Sequence, residues 1–218
     1  MDGVLAVVGK DLRLLWRQRS GWLSAATFAA VSVLTYSFAL DLATADVRPL
    51  LPGVLWVTFL FAGILASTHS FAQEAEQGTF DAMLLAPVSR SALYAAKVTS
   101  NLLALLLIEA TVLLLATILF DTSLLSLELA LIVFVGTLGY VSLTTLLSTL
   151  GSRVRSRAVL MPVLALPLLV PLLIAAVRAT GGALGAPNGS APWLLLLVVF
   201  TLWATLGSAL LFPLAVER

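Results

Sequence analysis

The chain has 218 residues, of which 61% are hydrophobic and 11% charged, with a formal net charge of +1 and no cysteine. Soluble domains carry about 25% charged residues, so the composition excludes an ordinary soluble domain and indicates an integral membrane protein. A charge of +1 says little about partners, while the absence of cysteine excludes a disulfide framework and thiol chemistry.

Residues 1–20 come first. Leu5, Val8, Leu12 and Leu15 recur at helical spacing, with Lys10, Arg13 and Arg17 on another face. The pattern predicts an amphipathic helix along the membrane surface, its cations toward lipid headgroups. A basic flank that stops transfer is the simpler alternative. No small-residue cleavage pattern interrupts the apolar run that follows, so a cleavable signal is not expected.

Crossing the hydrocarbon core takes about 20 apolar residues. Six runs qualify: 21–40, 50–71, 100–120, 127–150, 158–177 and 193–216. They are free of charge except for Glu109 in the third and Glu128 at the edge of the fourth. No repeat or low-complexity linker interrupts them, so the fold class expected is all-α: one polytopic membrane domain over 1–218, with six transmembrane helices. Loop charges orient it. With both termini cytoplasmic, the inner segments hold Lys10, Arg13, Arg17, Arg19, Arg90, Lys97, Arg153, Arg155, Arg157 and Arg218. The outer segments hold only Arg48 and Arg178, and so strong an asymmetry places the termini inside.

The longest polar segment, 72–99, then lies inside. Thr79 can cap a helix, and Asp81 suits the positive end of its dipole. Phe80, Met83 and Leu84 make one apolar face, and Pro87 ends the helix. Ser89 or Ser91 starts the next, which continues through Lys97 into the third span. A surface-lying helix is usually rich in Lys and Arg, whereas this one has Glu74 and Glu76 beside it. Docking into a protein partner therefore explains it better than resting on lipid.

The stretch "AQEAEQGTFDAMLLAPVSRSALYAAKV" resembles the coupling segment of ABC-2-type permeases: an acidic stretch, a Gly-Thr pair, a short helix and a Pro-x-Ser-Arg turn before a span. Within that superfamily the chain is most similar to the CcmB family, the membrane subunits of the cytochrome c maturation ABC system, also called heme exporter protein B. "LLPGVLWVTFLFAGILA" in the second span and "VLMPVLALPLLVPLLI" in the fifth carry the similarity further.

The resemblance implies a non-catalytic permease subunit of the bacterial inner membrane. ATP would be hydrolysed on a separate, CcmA-like cytosolic ATPase, driving heme export or release of a heme-loaded chaperone. It implies ATPase-coupling roles for Glu74, Glu76, Gly78, Thr79, Phe80, Met83, Leu84, Pro87 and Arg90. The partners implied are that ATPase, a CcmC-like heme-handling membrane subunit or a second copy of the chain, and lipid, with no nucleic acid. An ABC-2 subunit exporting a drug, lipid or polysaccharide is the alternative. The chain's own residues agree that the ATPase is another chain, since Gly9-Lys10 is followed by Asp11 and lacks the upstream glycine of a P-loop.

Four residues in the spans stand out as gate or pathway candidates. A carboxyl at mid-membrane costs on the order of 3 kcal/mol, so Glu109 is either a pathway residue or a structural acid bonded to hydroxyls such as Thr111, Thr117 or those of a neighbouring helix. Pro162, Pro167 and Pro171 free carbonyls in the fifth span and are expected to bend it. Gly136 and Gly139 are expected to permit close helix packing. The single histidine, His69, reads as a hydrogen-bonded structural residue, and the outer loops near 41–49, 121–126 and 178–192 contain no His, Met, Cys or Tyr to ligate heme iron. No cofactor is expected to be bound by this chain. A membrane-embedded enzyme is disfavoured, because one histidine and one buried carboxyl leave no nucleophile and base with an orienting group.

Overall fold

The computed structural model describes residues 9, 19–40, 46–76, 89–151, 157–187 and 189–216. Among them are six helices: α1 Arg19–Ala39, α2 Leu51–Glu76, α3 Arg90–Leu119, α4 Leu127–Gly151, α5 Arg157–Ala183 and α6 Ala191–Val216. All six apolar runs of the sequence lie on helices. Five of them are long and apolar enough to cross a membrane, by length and composition. The expected surface helix over 1–20 and the short helix over 79–86 lie outside the described residues, apart from Gly9 and the start of α1.

Short connections make sequential helices antiparallel. After α3, Asp121 adopts a left-handed conformation (φ 46°), which an aspartate tolerates better than most residues. Asp46 accepts the Arg48 backbone N–H at 3.1 Å in the turn before α2. Ser126 caps α4, its hydroxyl accepting the Leu129 N–H at 3.1 Å.

The helix at the centre is α4, which packs on α3, α5 and α6, while α1 packs on α2 and α3, and α2 on α5. Lipid tails are as apolar as leucine, so burying side chains does not drive helices together in a bilayer; close packing and interhelical hydrogen bonds do. The buried residues of α4 are suited to both. A Cβ on Gly139 would lie 2.6 Å from Thr201 Oγ1 and 2.7 Å from Leu172 Cδ1, and one on Gly136 would run into the Trp56 indole. Gly139 gives α5 and α6 a close approach, as expected, whereas Gly136 makes room for the Trp56 indole of α2. Buried hydroxyls are satisfied along the same helix, with Thr144 donating to the Tyr140 carbonyl at 2.9 Å and Thr149 to that of Thr145 at 2.9 Å. Ser142 shares a bond with Thr205 of α6 at 3.0 Å. Outward, Phe38, Ile118, Leu210 and many other large apolar side chains are exposed, a pattern that suits contact with lipid.

Candidate functional site

Two features of the sequence reading converge on one end of the bundle: the connection between α2 and α3, and the polar residues the two helices carry. Both helices outlast their apolar runs. The α2 helix continues to Glu76, beyond the run that ends near 71, and α3 begins at Arg90, well before the run that starts near 100. Ser89 is the residue that starts α3. Its backbone is extended (φ −62°, ψ 144°), and its side chain accepts the Ala92 N–H at 3.3 Å.

The charges at these ends oppose the helix dipoles. Glu74 and Glu76 occupy the C-terminal turn of α2, where partial negative charge already accumulates, and Arg90 opens α3 at its positive end. Helix stability does not account for them. The exposed Arg90 and the acids of α2 instead bracket 77–88, where Gly78, Thr79, Phe80, Met83, Leu84 and Pro87 lie outside the described residues. Further along α3, Lys97 is buried, and the Tyr94 ring packs 5.2 Å from that of Phe212, with its hydroxyl donating to the Ser142 carbonyl at 3.4 Å. The root of α3 is thus held against α4 and α6.

Nearer mid-bundle, Glu109 of α3 is 1% exposed, and Thr137 Oγ1 of α4 donates to its Oε2 at 2.7 Å. The two threonines on its own helix do not serve it, since Thr111 and Thr117 donate back to the carbonyls of Leu107 and Leu113. One turn along α4, Tyr140 lies on Gly63 of α2, where a Cβ would sit 2.7 Å from its hydroxyl. That hydroxyl donates to the Leu60 carbonyl at 3.4 Å. Towards the other end, Trp56 Nε1 of α2 donates to Thr180 Oγ1 of α5 at 2.9 Å.

Beside Tyr140, on the side toward 77–88, Trp22, Gly63, Ser67, Asn101 and Val141 line a cavity of about 30 Å³ where α1, α2, α3 and α4 meet. At roughly 10–15 Å³ of such volume per water, it has room for about two water molecules. Asn101 Nδ2 reaches Thr145 Oγ1 at 3.4 Å beside it.

Sequence reasoning singled out Glu109 but not Thr137, Tyr140, Trp56 or the cavity. The cluster Gly-Thr-Leu-Gly-Tyr at 136–140, small and polar residues inside an apolar run, was the available signal. Of the proline candidates, Pro167 and Pro171 are exposed on an unbroken α5, and the side chain of Pro162 lies outside the description. Pro167 and Pro171 are therefore not brought together with Glu109. No group of three His, Asp or Glu able to hold a metal occurs among the described residues.

The family model for CcmB protein matches residues 3–218, nearly the whole chain. The chain belongs to the CcmB family. No curated protein matches it significantly. CcmB membership makes it a permease-type, multi-pass membrane subunit of an ABC heme-exporter system, tied to cytochrome c biogenesis. Set against that cargo, the cavity by Tyr140 is an order of magnitude too small, since small-molecule sites run to about 300–1,000 Å³. In this conformation the CcmB bundle holds no heme-sized cavity there.

Proposed function

We propose that this CcmB chain converts ATP hydrolysis on a separate, CcmA-like cytosolic ATPase into movement of its own helices. That movement would serve heme export or release of a heme-loaded chaperone during cytochrome c maturation. The observation that carries this reading is the run of α2 to Glu76 and of α3 from Arg90, two continuous helical rods that reach the ends of 77–88 with charges set against their dipoles. A short helix over 79–86, with Phe80, Met83 and Leu84 on one face, would dock on the ATPase. Closure of the ATPase around nucleotide would then tilt the rods, because the two nucleotide states offer that helix different contacts. The ten-to-two distribution of cations supports a cytoplasmic location for this end, in the bacterial inner membrane. Heme would be held by a CcmC-like partner, with a second copy of the chain as the other candidate neighbour.

Purifying the tagged chain from membranes tests the reading. The ATPase should co-purify with the wild type and be lost with Leu84→Asp, because a few buried apolar side chains at about 1.5–3 kcal/mol each hold the helix and an unpaired charge among them defeats docking. An ATPase that stays bound to Leu84→Asp, with normal cytochrome c maturation, would refute it.

A further inference from the structure

We propose that Thr137 and Tyr140 of α4 are positioning residues for coupling: a pivot that holds both rods at one level, so that movement at 77–88 reorients the spans. The proposal rests on the coupling reading above and adds where motion is transmitted. Three observations carry it.

First, each rod has a polar tie to α4 at mid-bundle, and these two ties are one turn apart; nearer Arg90, α3 is joined to α4 again through Asn101 and Tyr94. Glu109 of α3 receives the Thr137 hydroxyl at 2.7 Å, while Tyr140 donates to Leu60 O of α2. Second, the tie to α2 is a close steric fit as well as a hydrogen bond. With no Cβ at Gly63, the Tyr140 ring lies directly on the α2 backbone, which fixes the separation of the two helices there.

Third, a small cavity opens on the side of the ties that faces 77–88. The cavity lined by Trp22, Ser67 and Asn101 lies between the rods and α4 at this level. From Gly63 to Glu76, α2 extends about 20 Å beyond its tie, at 1.5 Å per residue. A tilt of α2 by about 5° about its tie would move its end by about 2 Å, the scale of helix shifts that accompany switching between states.

The test uses the full-length chain with its ATPase in cells lacking the wild-type copy, and reads three quantities: subunit in the membrane, ATPase co-purified, and cytochrome c matured. Thr137→Val combined with Tyr140→Phe removes both hydroxyls and preserves shape. The subunit and the bound ATPase should stay at wild-type levels while maturation falls by about tenfold. Thr137→Ser, which restores the hydroxyl, should mature cytochrome c as the wild type does. Normal maturation by the double variant overturns the proposal, whereas absence of the ATPase from the wild-type complex overturns the coupling reading instead. If the double variant fails to accumulate, the single variants decide, and normal maturation by both overturns the proposal.

Discussion

Replacing Glu109 separates two roles a mid-membrane acid can play: a shape-fitted hydrogen-bond partner, or a group whose ionisable chemistry is itself required. Its only hydrogen bond among the described residues comes from Thr137 at 2.7 Å, and its side chain is almost wholly enclosed. Glutamine keeps the length, the shape and an acceptor oxygen for Thr137, so Glu109→Gln should change stability by less than about 1 kcal/mol. Alanine removes the acceptor and leaves a void. Interhelical hydrogen bonds in bilayers average about 0.6 kcal/mol and reach about 1.7, and truncation of a large buried side chain costs about 2–5 kcal/mol when the site relaxes poorly. Glu109→Ala should therefore cost about 3 kcal/mol. Combining Glu109→Gln or Glu109→Ala with Thr137→Val closes a double-mutant cycle, which should return about 0.6–1.7 kcal/mol for the alanine arm and near zero for the glutamine arm. Reversible unfolding in detergent mixtures, followed by tryptophan fluorescence, measures these differences. If Glu109→Gln unfolds as easily as Glu109→Ala, or abolishes maturation while stable, the structural account of this residue is wrong.

Two further outcomes are expected. Cysteines replacing Ser126 and Ser190 should react with an impermeant thiol reagent in sealed cells, and one replacing Ser89 should not; labelling at 89 would invert the orientation. Purified alone, the subunit should show no stoichiometric heme absorbance, and His69→Ala should retain most cytochrome c maturation; a one-to-one heme band that disappears with His69→Ala would contradict this.

The helices were legible because a bilayer demands about 20 apolar residues of each span, a requirement no loop of this chain meets. Their polar extensions were less so. The apolar run of the second span stops near 71, yet α2 continues to Glu76, since once nucleated a helix extends through Ala, Gln and Glu at little cost. Ser89 and Ser91 were equivalent as caps by composition, and the extended backbone at 89 decides between them. The partner of Glu109 was not legible. Threonines on its own helix were as near in sequence as Thr137 was distant, and only the rotation of α4 against α3 brings that hydroxyl within 2.7 Å. Gly63 and Tyr140 carried no signal singly, because the fit of a ring on a glycine exists only once both helices are placed.

A photo-crosslinking amino acid in place of Leu84, in the intact chain and in native membranes, tests the central claim most directly. The account predicts a crosslink to the cytosolic ATPase whose yield changes when ATP replaces ADP, with a weaker one from position 82 on the opposite face of the helix. A crosslink to lipid alone, or equal yield from both faces in both nucleotides, would contradict it.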